Sequence, residues 1–405
     1  MTGLRRAGLA GPAVAVLLTL ACRPALGHDP SAWGGLFRSR DQGATWVSAN
    51  RGSYLGGATA LAIDPTDANR LLLGTESGLY ASSNGGRDWS VEAPALALGS
   101  VLALVFSADG RHALAATGAG LFRREAEGGW RAVPLPRGAA PARALLRGDD
   151  GGVYLAGWTG LFRSDDGGTS WSSAAGGLPR APVASLLAIP GSPETLLAVL
   201  QGRIWASSDG GRSWEARGAG LPPAGMEALG GDPGRSGRLW AGGGGALFRS
   251  EDGGARWRRA GAPLSEPNTT MHAVAARGDV LLATTDRGLY RSTDGGENWA
   301  LLGDDLPSHL EAGPLLWDPG DADTVYAGFS LIPYRDIWRR AAAQEGALAQ
   351  VSGASLAGGG ALLLGMALGG AAVLRSLAQY YRTPARDAPA GLVAKPRRSR
   401  EEAPP

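Results

Sequence analysis

A tryptophan recurs along the chain at positions 46, 89, 130, 171, 214, 257 and 299, with gaps of 43, 41, 41, 43, 43 and 42 residues. A period of that length marks a repeat architecture, in which each unit is one supersecondary element that must stack on its neighbours to bury its apolar faces. The phrase before each Trp is kept as well: RSRDQGATW, SSNGGRDW, RSDDGGTSW, SSDGGRSW, RSEDGGARW and RSTDGGENW. The copy ending at Trp130, REAEGGW, is one residue short and has lost the Ser and the Asp.

Each unit repeats the same phrases in the same order. An apolar segment such as ALAIDP or LWDP comes first, then a β-rich run such as LLLGT, VYLAG, LLAVL or TVYAG, then GLY, GLF or ALF, and last the Ser/Asp/Gly turn. Short apolar runs bounded by Gly, Pro, Asp and Asn are strand signals, and about four strands fit each unit. Four-stranded units of this period predict an all-β chain folded as a β-propeller.

The chemistry of the turn explains why it is rewritten. The hydroxyl of Ser and the oxygen of Asp or Asn can accept from backbone N–H groups just ahead, closing a tight turn. The Gly supplies a position that tolerates positive φ, and the Trp that follows fills the space between units. The turn residues are Ser39, Asp41, Gly43 and Trp46; Ser82, Asn84, Gly86 and Trp89; Ser164, Asp166, Gly168 and Trp171; Ser207, Asp209, Gly211 and Trp214; Ser250, Asp252, Gly254 and Trp257; Ser292, Asp294, Gly296 and Trp299. This is a hairpin and a packing plug, with no role in catalysis.

The phrase, with the GLY/GLF strand before it, resembles the Asp-box (bacterial neuraminidase) repeat of sialidases, sortilin-type receptors and the propellers that assist photosystem II assembly. The resemblance covers residues 33 to about 346. It implies a propeller in which the box sits at the blade periphery, between the third and fourth strands and away from the binding face. Cutting after each Trp gives six units, 47–89, 90–130, 131–171, 172–214, 215–257 and 258–299, with fragments 33–46 and 300–346 left over. The two fragments together make one blade, in which the N-terminal strands close the ring, and this gives a seven-bladed propeller; six blades is the alternative if the fragments stay unpaired.

The ends of the chain address the protein. Residues 1–27 carry Arg5 and Arg6, an apolar core and Ala25-Leu26-Gly27, the pattern of a cleaved signal peptide; lipidation at Cys22, the only cysteine, is the alternative. With cleavage the mature chain has no disulfide or thiol chemistry. A propeller over 28–346 is followed at 347–375 by a short linker and the uncharged stretch Val351–Leu374, long enough to span a bilayer. Gly365 and Gly369 carry the spacing that lets two such helices pair as a homodimer, incidental spacing in a Gly-rich helix being the alternative. The basic tail 376–405 reads as disordered and cytoplasmic by the positive-inside rule, which puts the propeller outside, in the periplasm or at the cell surface. A single lysine, Lys395, against 38 arginines is the bias of a GC-rich bacterial genome.

Charge and motifs narrow the function. Without the leader and tail, the formal +2 of the chain becomes about −5 on the exported part, which gives no footprint for nucleic acid. Arg38, Arg123, Arg163, Arg249 and Arg291 share one repeat position and do not read as a substrate clamp, and the Phe/Tyr-Arg-Ile-Pro signature of sialidases is absent. The four histidines, His28, His112, His272 and His309, are scattered, with no metal spacing. No catalytic, cofactor-binding or metal-binding residue is therefore assigned. Departures from the repeat are the places free for recognition: NRGSYLGG (50–57), SEPNTTMH (265–272) and SLIPYRDIW (330–338). The last reads as a lengthened hairpin loop offering Tyr334, Arg335 and Asp336 to a partner, or as a loop that stitches the ring closed. The expectation is a noncatalytic, membrane-anchored propeller that binds a protein or glycan partner; the alternative is a glycan-acting hydrolase, which would need acidic and Arg side chains gathered at the central pore.

Overall fold

Runs such as LLLGT and LLAVL are continuously apolar where a half-exposed strand would alternate, the pattern of a strand covered on both faces. The computed structural model describes residues 34–343 apart from 51–54, 93–98, 127 and 308–309. It makes each such run the second strand of a four-stranded antiparallel sheet. Leu71–Thr75, Ala113–Thr117, Val153–Ala156, Leu196–Leu200, Leu239–Gly243 and Val325–Ser330 are buried along their whole length.

The described residues form seven such sheets. The first strands, Ala58–Ile63, Val101–Phe106, Ala144–Arg147, Val183–Ala188, Ala228–Gly231, Met271–Arg277 and Glu311–Trp317, contact one another in sequence and close into a ring. They form the inner wall of a seven-bladed β-propeller. The fourth strands are short and outermost; Val47–Ser48, Ser90–Val91 and Ala300–Leu301 are exposed.

Blades 1 to 6 are built from consecutive strands, starting at Ala58, Val101, Ala144, Val183, Ala228 and Met271. Blade 7 combines Glu311–Trp317 and Val325–Ser330 with Gly34–Ser39 and Val47–Ser48. Its two halves pair antiparallel from Gly34↔Ser330 to Ser39↔Val325, and Phe37 meets Phe329 edge to face at 5.3 Å. The fragments left over at the ends of the repeat therefore make one blade, and the six-bladed alternative does not hold.

A single shared core is absent because the apolar surface lies between blades. One cluster occupies each of the seven interfaces, and each contains one of the repeat tryptophans. Trp46 lies between blades 6 and 7, Trp89 between 7 and 1, Trp130 between 1 and 2, and Trp171 between 2 and 3. Trp214, Trp257 and Trp299 fill the next three. In every case the ring packs against the preceding blade.

The leader 1–27, with Cys22, and the segments 347–375 and 376–405 lie outside the described residues, as do Gly365 and Gly369. No helix among the described residues is long and apolar enough to cross a membrane.

Ring closure through blade 7 sets one expectation. Phe37→Ala, at the seam and 2 % exposed, should cost about 3–5 kcal/mol. Val47→Ala on the exposed outer strand should stay within about 0.5 kcal/mol. Urea denaturation of both variants measures the difference.

Candidate functional site

Antiparallel pairing sends the chain to one face of the ring at the start of every inner strand and at every second-to-third-strand hairpin. The Ser/Asp/Gly turns, which follow the third strands, lie on the other face. There they are closed by a repeated set of bonds. The Gly N–H donates to the Ser hydroxyl oxygen at 2.7–3.0 Å in all six complete copies. The Ser hydroxyl donates to the Asp or Asn oxygen two residues on at 2.7–3.1 Å. That oxygen accepts the N–H four residues further along, as Asp209 does from Ser213 at 2.9 Å. The indole N–H of Trp46, Trp89, Trp214, Trp257 and Trp299 donates to the carbonyl of the Gly three residues before it at 3.0–3.2 Å.

Of the five arginines before these turns, Arg163 and Arg249 pair with Asp150 and Glu251 of their own blades, and the other three latch one blade to the next. Arg38 donates to the Gly85 carbonyl of the next blade at 2.6 Å, Arg291 to the Gln42 carbonyl at 2.9 Å, and Arg123 to Thr169 Oγ1 at 3.3 Å. Their shared repeat position therefore has a structural cause, and they do not converge on a substrate.

The opposite face holds a cavity of about 520 Å³, within the size range of small-ligand and peptide sites. Its wall is assembled from Thr59 of blade 1, Arg143 and Trp158 of blade 3, Val183 to Leu186 of blade 4, Glu227 of blade 5, Met271 to Ala273 of blade 6, and Gly313 and Pro314 of blade 7. The remaining side is a helix, Tyr334–Ala343, which supplies Tyr334, Arg335, Trp338 and Arg339.

That helix corrects the expected hairpin loop at 330–338. The third strand of blade 7 comes from residues 34–39, so the chain leaving Ser330 has no hairpin to make. Pro333 opens the first turn, its carbonyl accepting from Asp336 N and Ile337 N at 2.8 and 3.1 Å. Asp336 in the first turn and Arg340 in the last suit the helix dipole. The inward face, Tyr334, Ile337 and Ala341, packs on Leu102 of blade 2. Of the three residues expected to meet a partner, Tyr334 points inward at 8 % exposure and donates its hydroxyl to the Ala58 carbonyl at 2.6 Å. Its ring lies on Gly313, where any Cβ would collide with it. Arg335 is exposed and lines the cavity, and Asp336 pairs with Arg339 at 3.3 Å.

The cavity wall also brings together Glu227 and His272, which the sequence left scattered, and sets His272 against Glu311. Glu311 Oε2 accepts from Tyr334 N at 2.8 Å and lies 3.4 Å from His272 Nε2. Burial pushes the Glu311 carboxyl up, but the His272 side chain and the Tyr334 N–H outweigh it and hold the group below the usual range. Glu227 Oε2 accepts from Met271 N at 2.8 Å; here burial dominates and the pKa is raised. His272, read from sequence as a solvated position, stacks obliquely on Tyr334 at 5.3 Å. The insert SEPNTTMH was the one sequence signal toward it, since its last residues, Thr270 to His272, line the cavity. Among the described residues no group of three or more metal-ligating side chains is gathered.

A seven-bladed propeller with a helix laid beside the mouth of its central channel is the class that fold and cavity define. Solved structures share the fold. A YCF48 bound to a D1 peptide superposes with a TM-score of 0.53 at 16 % identity, over 76 % of this chain and 98 % of that one. YCF48 from Cyanidioschyzon merolae gives 0.51 at 14 % identity, over 68 % and 95 %. A GH74 xyloglucanase from Xanthomonas campestris gives 0.52 at 21 % identity, over 68 % of this chain and 51 % of that one, so the chain spans about half of the enzyme. No protein-family model and no curated sequence matches the chain. At these identities the likeness is one of fold.

Two expectations follow from these bonds. Tyr334→Phe removes the hydroxyl that donates to the buried Ala58 carbonyl and should cost about 1–3 kcal/mol in thermal or urea unfolding. The turn carboxyls set an acid limit. The Ser170 hydroxyl lowers Asp166 from the ordinary 3.8 to about 2; the Ser213 hydroxyl does the same for Asp209, and the Asn298 N–H for Asp294. A depressed folded-state pKa means the stabilisation is complete above 3.8 and is lost as pH falls through about 2. The triple variant Asp166→Asn, Asp209→Asn, Asp294→Asn should be less stable at pH 7 and show a flatter stability profile between pH 4 and 2 in urea titrations.

Proposed function

We propose that the protein is a noncatalytic, membrane-anchored, extracytoplasmic propeller that docks a segment of a protein or glycan partner in the helix-flanked cavity. The observation that carries this reading is the division of labour among the cavity's polar groups. Glu227 on the wall, and Glu311 next to the lining residues Tyr334 and His272, each give one oxygen to a backbone N–H of their own scaffold, which is the work of a brace. The exposed Trp158 and the half-buried Trp338 are left as contact surface, the kind of aromatic anchor on which binding energy concentrates. YCF48, a propeller of similar fold, has been solved with a peptide bound. The leader at 1–27, the uncharged stretch Val351–Leu374 and the basic tail support export and anchoring. Reading the turns as Asp boxes fits their place between third and fourth strands, on the face away from the cavity.

A second reading has one observation in its favour. Glu227 on the cavity wall is pushed up, while Glu311, 3.4 Å from His272 of the same wall, is held down, and carboxyls with separated pKa values are how glycoside hydrolases divide acid and base roles. Capture of the full-length protein and its partners from native membranes, beside a screen of glycosides, separates the two. The docking reading expects a stoichiometric partner, weakened by Trp158→Ala, and no turnover. Turnover abolished by Glu227→Gln would overturn it in favour of the hydrolase.

A further inference from the structure

Arg143 has no partner of the kind its neighbours have. Its N–H bonds the Ala156 carbonyl at 2.7 Å, which fixes it at the entry to the inner strand of blade 3. Its guanidinium lies over the Trp338 ring at 5.3 Å. Arg163, also half-buried and over an aromatic ring, is by contrast neutralised by Asp150 at 2.8 Å. Among the described residues no carboxylate or carbonyl takes the side-chain donors of Arg143. Burial pulls its pKa down with no nearby carboxylate to oppose it. A half-buried guanidinium with unmet donors at the wall of a cavity is set to receive an anion, because covering it without one leaves an uncompensated charge. The planar fork is suited to a carboxylate.

We propose that the cavity binds an acidic peptide segment, one carboxylate of which pairs with the Arg143 guanidinium while neighbouring apolar side chains lie against Val183, Leu186 and Pro314. The proposal rests on the docking reading and adds the chemistry of the docked segment. Arg335 on the flanking helix adds positive charge to the same mouth, while Arg339 is paired with Asp336. A neutral glycan is disfavoured because it would cover the Arg143 guanidinium without supplying a counter-charge. An acidic glycan would satisfy Arg143 but has no apolar side chains for the Val183, Leu186 and Pro314 wall.

The test titrates the full-length protein in detergent with a fluorescein-labelled decapeptide of alternating aspartate and leucine, and with the same peptide carrying asparagine for aspartate. An oligogalacturonate serves as competitor. The acidic peptide should bind at least about tenfold tighter than its amide counterpart, with an affinity that falls as salt rises. Arg143→Gln should erase most of that preference, and Arg143→Lys should restore part of it. Equal binding of the two peptides, or an unchanged preference in Arg143→Gln, would overturn the proposal. So would failure of both peptides, or binding of the oligogalacturonate alone, which would move the site to an acidic glycan. The acid-versus-amide comparison uses the unaltered chain and so decides the matter even if Arg143→Gln fails to fold. Partner capture from native membranes with no peptide preference would sink this inference and leave the docking reading standing; glycoside turnover without a partner would remove the docking reading itself.

Discussion

A four-stranded sheet with two apolar faces cannot stand alone, and everything in this molecule follows from how that requirement is met. Each blade buries both faces only between two neighbours, so the arrangement is stable only as a closed ring. The repeated turn serves that end directly. Its hydroxyl and carboxyl fix a glycine at positive φ, Gly211 at 91° for example, and the geometry of the turn aims the following indole into the seam with the preceding blade. A ring edge that would otherwise expose strand groups is consumed by pairing residues 34–39 with 325–330, which removes the open edge that invites aggregation.

Because the ring satisfies itself, its central face is released from folding duty. The inner strands start there, seven backbones converge, and the side chains at their entries need not resemble one another. The helix Tyr334–Ala343 uses part of that freedom. It covers apolar surface around Leu102 and Ala58, spends Tyr334 as an anchor, and leaves Trp338 and Arg335 facing what remains open. The cavity is thus the space between an asymmetric addition and a pseudo-symmetric ring. The turns on the other face have no such latitude, since each is committed to closing a blade.

The sequence showed the ring more clearly than the site. Seven tryptophans at a near-constant spacing, with second strands too apolar to have an exposed face, lead to the blades directly, and the incomplete phrases at the two ends lead to the shared blade. The segment SLIPYRDIW was picked out correctly as a departure but misread as a loop. Its ten-residue helix begins only after Pro333, and the short, mixed pattern carries too little periodicity to distinguish the two. Glu227 and Glu311 gave no local signal, and His272 stood out only as the last residue of the insert SEPNTTMH; the three are separated by roughly one blade each along the chain.

What the sequence determined by itself is whatever repeats locally: the blade, the turn that closes it and the aromatic ring between blades. These are set by contacts within a unit and with the adjacent one, so they are written into every period. What the tertiary structure alone decided is which unrepeated residues meet. Closing the ring brings the entries of blades 3, 5, 6 and 7 to one mouth and lays a helix from beyond the last repeat across them. No spacing along the chain encodes a meeting that depends on closure, which is why Arg143 and Trp338 become neighbours only in the folded ring.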